Sequence, residues 1–239
     1  MKTIPLFFAV GALVLSTLLT PPLLAQIKEG AVMDESTGVL EEIMASPEKG
    51  IPASLLANAQ GIAIVPNVVK GGLGIGIRFG RGILLVRDET GKWRPPSFIS
   101  LTGGSFGWQI GVQATDVILV FKNRKSVQTL LSGKLTLGAD AAVTAGPVGR
   151  QAAAGADVTL RSAVYSYSRS RGLFLGLALD GTALLVDSRA NAAYYGNNGQ
   201  VSSMPDPQQP GSVPPSATRL VEHVEKYTTV PGLVPPPGQ

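Results

Sequence analysis

The chain has 239 residues, of which 44% are hydrophobic and only 15% charged, with no Cys and a single His. Disulfide scaffolds, thiolate metal sites and cysteine nucleophiles are thereby excluded, and a His-ligated zinc site or a Ser–His–Asp triad would have to use His223, near the C-terminus. Charge is uneven: residues 26–60 hold two basic against six acidic residues (−4), residues 61–196 fifteen against seven (+8) and residues 197–239 two against three (−1), so the basic middle calls for an anionic partner or an internal acidic lid.

Residues 1–25 read as a secretory leader. Met1-Lys2 is followed by an apolar run from Ile4 to Leu19, and Pro21-Pro22-Leu23-Leu24-Ala25 ends in a small residue before Gln26. No later stretch is long and apolar enough for a membrane-spanning helix. Residues 26–60 read as helical. Met33, Val39, Leu40, Ile43 and Met44 fall on one stripe, Asp34 or Ser36 can cap its start, and Pro47 stops it. A second short helix is expected from Pro52 through Ala59, closed by Gly61.

Residues 61–196 read mainly as strands. Gly61 to Pro66 is a short apolar run, and Leu73, Ile75, Ile77 and Phe79 alternate with Gly74, Gly76 and Arg78. Arg81 to Arg87 continues after a glycine break, and Asp88 to Gly91 is a turn signal. Phe106, Trp108, Ile110 and Val112 alternate with Gly107, Gln109, Gly111 and Gln113, and Asp116 to Phe121 follows. Asn123 can cap a helix from Arg124 to Ser132, closed by Gly133. Further strands are expected near 134–145, 153–168 and 171–187.

Twenty-one of the 29 glycines lie in this region. Glycines inside strands imply strong curvature, close backbone approach, or room beside the sheet. The predicted fold is therefore α+β and mainly β. It is a strongly curved antiparallel sheet or small barrel over 61–187, with helices from 34–59 and 124–132 covering its open faces or ends. Residues 197–239 contain nine of the 18 prolines and read as a largely disordered tail with one short helix from Thr218 to Tyr227.

Catalytic patterns are weak. Gly74-x-Gly76 is followed by Gly80, one residue too late for a dinucleotide fingerprint, with no helix pattern after it. Asp116, Asp140, Asp157, Asp180 and Asp187 are scattered near strand ends and read as turn and edge residues, which leaves a hydrolase on these carboxylates without support from spacing. Tyr165-Ser-Tyr167-Ser-Arg169-Ser-Arg171 alternates aromatic and basic groups. It suits a lipid interface, with tyrosines at the boundary and arginines on phosphate, better than nucleic acid in an exported chain. No cofactor, metal or nucleic acid is expected.

Ten segments in order resemble the SYLF domain family. They are Ala57-Asn-Ala-Gln-Gly61, Lys70-Gly-Gly72, Phe79-Gly-Arg-Gly82, Trp93-Arg-Pro95, Gly103 to Gly111, Asp116 to Val120, Ala145 to Arg150, Ser166-Tyr-Ser-Arg169, Gly172 to Gly176 and Asn191 to Gly196. The resemblance implies a non-enzymatic lipid-binding domain over 26–196. Eukaryotic members of the family bind phosphoinositides and some bind actin; bacterial members are exported, stand-alone domains. The segment before Gly61 carries a net −4 where eukaryotic members look to carry a basic amphipathic stretch. Phosphoinositide specificity is therefore not expected here, nor is actin for an exported chain.

The expected function is a lipid-binding module of the cell envelope, periplasmic or extracellular and peripheral on anionic phospholipid. The alternative is an integral outer-membrane barrel or a structural envelope protein. Candidate lipid contacts are Lys70, Arg78 and Arg81 on or beside one glycine-rich strand, Lys122, Arg124 and Lys125 at a helix start, and Tyr165, Tyr167, Arg169 and Arg171 around a strand connection.

Overall fold

The computed structural model of the chain describes residues 21–45, 51–146, 162–170, 173–176, 179–196 and 213–228. Most of the expected leader, Pro47, the 153–161 part of an expected strand, Arg171 and most of the Pro-rich tail lie outside these residues.

The helices are α1 (Pro21–Met44), α2 (Ala53–Ala57), α3 (Arg124–Leu131), α4 (Ser188–Tyr195) and α5 (Pro215–Thr228). The strands are β1 (Gly61–Val86), β2 (Ser97–Phe121), β3 (Lys134–Thr136), β4 (Val143–Ala145), β5 (Val164–Ser170), β6 (Leu173–Gly176) and β7 (Thr182–Val186). They form one sheet in the order β3-β7-β2-β5-β4, with β1 along the other edge of β2 and β6 on β5. The expected curved α+β sheet is present. It is mixed rather than wholly antiparallel, because β4 runs parallel to β5.

β1 and β2 form one antiparallel hairpin, from Gly61 opposite Phe121 to Leu84 opposite Ser97. A straight strand of β1's length would run about 85 Å, so it has to bend to stay within a compact domain. It doubles back on itself. A Cβ added at Gly80 would lie 2.7 Å from Val65 Cγ1 and 2.8 Å from Val68 Cγ2, and one added at Gly82 would lie 2.1 Å from the Ile64 carbonyl oxygen. The glycines that the sequence reading took for a break between two strands are where the second half of β1 closes over the first.

The ends of the hairpin are apolar on both faces, as strands covered on both sides must be. On the concave face, Ala63, Val65, Leu84, Val86, Ile99, Leu101, Val117 and Leu119 pack with Val127 and Leu130 of α3. On the convex face, Ile62, Ile64, Ile83, Leu85, Ile118, Val120, Tyr165 and Tyr167 pack under the helices. There they meet Met33, Leu40 and Ile43 of α1, Leu55 and Leu56 of α2, Tyr194 of α4, and Leu220 and Val224 of α5. Helices thus cover the strand faces that a membrane-spanning barrel would turn to lipid. Among the described residues, no helix is long and apolar enough to cross a membrane.

Local chemistry explains most element ends. Asn123 caps α3, its side chain accepting from the Ser126 amide at 2.9 Å, and Gly133 follows with φ +127°. The Asp88 carboxylate accepts from the amides of Thr90 and Lys92 at 2.8 and 3.0 Å and closes the expected turn. Three expectations need correcting. The first helix begins at Pro21, so Asp34 and Ser36 lie inside it, and the Ser36 hydroxyl donates to the Val32 carbonyl. Gly61 opens β1 rather than ending α2, which stops at Ala57 because Asn58 departs from helical geometry. Finally, Ser188 to Tyr195 is a helix the strand reading missed: Asp187 caps it and Gly196, at φ +70°, ends it.

α5 starts at Pro215, the favoured first-turn position for proline. Its Ala217, Leu220 and Val224 are fully buried, so this part of the tail belongs to the same core as α1 and α2.

Candidate functional site

One local feature sorts the basic residues of β1. Between Val65 and Val68, two residues of β1 oppose one of β2, and Asn67 takes φ +50°. This bulge reverses the in–out alternation, so Val65 and Val68 both face the concave core. Counting on from Val68 puts Lys70, Gly76, Arg78, Gly80 and Gly82 on the concave face. Val69, Ile77, Phe79 and Arg81 fall on the convex face.

The convex-face arginines are held by α1. Arg81 donates both to Glu29, at 2.8 and 2.9 Å, and to Asp187 at 3.3 Å. Burial works against its charge, but the hydrogen bonds and charge of Glu29, with those of Asp187, outweigh burial and raise its pKa. Arg169 donates to Asp116 at 2.8 and 2.9 Å and pairs with Glu42 of α1. Asp116 also accepts from the Asn67 amide at 3.0 Å, which ties this pair to the bulge. Asp34 and Glu41 of α1 face Arg219 and His223 of α5. The acidic N-terminal segment is thus an internal counter-charge for part of the basic middle.

The remaining candidates are dispersed. Tyr165 and Tyr167 are buried under the helices and present no ring to the surface, and burial raises the Tyr167 pKa. Their alternation with Arg169 follows the convex face of β5, where α1 reaches Arg169 through Glu42. Arg124 donates to the Asp88 carbonyl at 2.8 Å and so grips the neighbouring turn. Lys122 is half-buried and Lys125 exposed. Arg171 lies outside the described residues.

Lys70 and Arg78 are left flanking the bend. Arg78 is half-buried, and burial lowers its pKa. It reaches across β2 to β7, where it donates to the Thr182 hydroxyl at 3.4 Å. On the opposite face the bend exposes Ile77 (76%), Phe79 (52%) and Val69 (44%). Their partners on β2 are Gly104, Thr102 and Ala114, all exposed. The sequence reading saw Ile77 and Phe79 as part of an apolar strand face. Alternation cannot tell a face beneath a helix from one beyond its end. Among the described residues, no three His, Asp or Glu side chains gather where they could hold a metal ion. The site offers apolar surface, guanidinium and hydroxyl groups. These are binding groups; no nucleophile with a neighbouring base stands among them.

The family model described as Ysc84, "Las17-binding protein actin regulator", matches residues 102–227, from β2 to the end of α5. The chain belongs to this family, the SYLF-domain family. Among its relatives, SH3 domain-containing YSC84-like protein 1 of Xenopus laevis is 38% identical over 155 residues, 64% of this chain and 45% of the relative. The Homo sapiens protein of that name is 36% identical over 150 residues, 62% and 44% of the two chains. Protein YSC84 of Saccharomyces cerevisiae is 38% identical over 151 residues, 62% and 32%. The chain therefore spans less than half the length of these relatives. A further relative from the same yeast is named LAS seventeen-binding protein 3. The family description corrects one expectation: actin, not expected for an exported chain, belongs to the family's own description as a Las17-binding actin regulator. The expectation rests on the leader pattern of residues 1–25 alone.

Proposed function

We propose that this SYLF-domain chain is a docking module without catalytic chemistry that seats on anionic phospholipid through the bend of the β1–β2 hairpin. The observation carrying this reading is the exposure of Ile77 and Phe79 on β1, with Lys70 and Arg78 on the reverse face. A hairpin bend entering the interface edge-on places apolar side chains among acyl chains and cations at headgroup depth. Full burial of one large apolar side chain contributes about 1.5–3 kcal/mol, and each basic residue near an anionic surface about 1 kcal/mol. Two of each reach roughly the micromolar-to-millimolar range. An Ile77→Ser/Phe79→Ser double variant will lose at least tenfold in affinity for vesicles containing phosphatidylglycerol, measured by co-sedimentation. A folded double variant that pellets like the parent rules this surface out.

The family description favours a second reading, contact with the actin machinery. Saturable pelleting with actin filaments in the absence of lipid, lost in the same double variant, would favour it over the membrane. The two readings part over placement. The leader pattern of residues 1–25 supports export to the periplasm or beyond, and with it the lipid reading. A cellular form whose N-terminal sequence starts at Met1 would remove that support.

A further inference from the structure

The convex-face arginines and Arg219 are matched by carboxylates: Arg81 by Glu29 and Asp187, Arg169 by Asp116 and Glu42, Arg219 by Asp34. Arg87 and Arg124, which pair with no carboxylate among the described residues, donate to backbone carbonyls instead, at 2.9 and 3.3 Å and at 2.8 Å. Arg78 has neither kind of partner: among the described residues no carboxylate pairs with it, and its one side-chain bond, to Thr182 Oγ1, is long at 3.4 Å. A half-buried guanidinium with five donors and one weak neutral acceptor is short of negative charge.

The surroundings are shaped for this side chain. Arg78 lies opposite Gly103 on β2, and Gly103 lies opposite Thr182 on β7. A Cβ at Gly103 would come within 2.9 Å of Thr182 Oγ1, in the space the Arg78 side chain crosses to reach that hydroxyl. Thr182 is itself fully buried. Gly76 and Gly80 stand two residues to either side of Arg78 on the same face of β1, so no bulky neighbour flanks it there. Lys70, also on the concave face, adds positive charge at the other side of the bend.

We propose that Arg78, with the Thr182 hydroxyl as a second donor, is a recognition site for a phosphoryl group with two free oxygens. The guanidinium fork takes both oxygens and the hydroxyl turns to donate to one of them. The phosphoryl group can belong to a lipid headgroup or to a small soluble phosphate. The lipid source rests on the membrane reading above, and the phosphate chemistry does not.

The test compares the parent, Arg78→Lys, Thr182→Val and the Ile77→Ser/Phe79→Ser variant. Each is first checked for a parental thermal midpoint, then titrated with phosphatidylglycerol vesicles, with phosphatidylcholine vesicles and with inorganic phosphate. Arg78→Lys keeps the charge and loses the fork, so at least a tenfold loss on phosphatidylglycerol is expected, with a loss by a similar factor of whatever binding the parent has for phosphatidylcholine, whose phosphodiester carries the same two free oxygens. Thr182→Val keeps the shape and should lose about threefold. Inorganic phosphate should compete with the vesicles for the parent and not for Arg78→Lys. If Arg78→Lys and Thr182→Val both bind like the parent in every arm, the site is overturned, and loss of vesicle binding in the Ile77→Ser/Phe79→Ser variant would still uphold the membrane reading. If the parent binds no vesicle, the membrane reading falls and inorganic phosphate decides. Binding sensitive to Arg78→Lys keeps the site with a soluble phosphate as its ligand, and no binding overturns it. Should Arg78→Lys fail to fold, Thr182→Val decides alone.

Discussion

A Gly82→Ala variant will fail to close the β1–β2 hairpin. The added methyl would sit 2.1 Å from the Ile64 carbonyl oxygen and 2.7 Å from Val65 Cα, both backbone atoms of the same strand's first half. A flexible side chain could swing away, but here the strand would have to separate from itself. That separation opens the contact between Val65, Val68, Leu84 and Leu101 in the concave core. Overpacking in a filled core costs typically 1–3 kcal/mol. A clash with backbone at both atoms belongs at or above the top of that range, so a loss of about 3 kcal/mol or more is expected in denaturant unfolding. Gly104→Ala is the matched control on the neighbouring strand. A Cβ there meets nothing within 4 Å, and stability should change by less than about 0.5 kcal/mol. Equal midpoints for the two variants would show that β1 does not double back in the way described.

Asp116→Ala will produce the second large loss, for a reason that joins three elements. The carboxylate accepts from Asn67, which holds the bulge, and from Nε and Nη2 of Arg169 on β5. Removing it leaves the Asn67 amide and half of a guanidinium without acceptors in a mostly covered position. Breaking a buried pair costs about 3–5 kcal/mol. Arg169 keeps Glu42 and some solvent access, so about 2–3 kcal/mol is expected here. Asp116→Asn can still accept from the Asn67 amide and should recover part of the loss. The bulge sets which face of β1 is concave, so Asp116→Ala should also disturb binding at Ile77 and Phe79, 10 and 12 residues beyond Asn67 along the strand, more than Arg169→Met does. Parental stability for Asp116→Ala would mean that the bulge holds without this carboxylate.

Both variants concern the same fact, that β1 is one bent strand. The sequence shows the ingredients. Ile62 to Val65 and Ile83 to Val86 are continuous apolar runs, and Gly80 and Gly82 stand between them. Glycine density was correctly taken to mean curvature and close backbone approach. Which atoms approach is not readable, because the partner of Gly82 lies in the same strand 18 residues earlier and no local rule links the two. The α3 cap at Asn123 and the turn at Asp88 were readable because each is completed within four residues. α4 has local signals too, Asp187 before it and Gly196 after it, but the sequence reading ends its last strand at 187 and assigns no element to 188–196.

The sequence alone determined the family, the mainly-β curved sheet, the positions of α2 and α3 to within two residues, and the acidic–basic division between the N-terminal segment and the middle. All of these follow from residue type, local spacing and composition. Only the tertiary structure decided which basic residues are available. Arg78 and Arg81 are three residues apart and chemically identical, yet the alternation of β1 places one on the concave face beside Thr182 and the other under Glu29. Tyr165 and Tyr167, suited by type to a lipid boundary, are core: both are buried in the cluster that holds residues of α1, α2 and α5, and the Tyr167 ring lies against Gly146. Ile77 and Phe79, with the same alternation as the buried Ile83 and Leu85, are exposed, with none of the described helices covering them. A strand's pattern records that it has two faces. What covers each face depends on elements from elsewhere in the chain, and that is a property of the packed molecule.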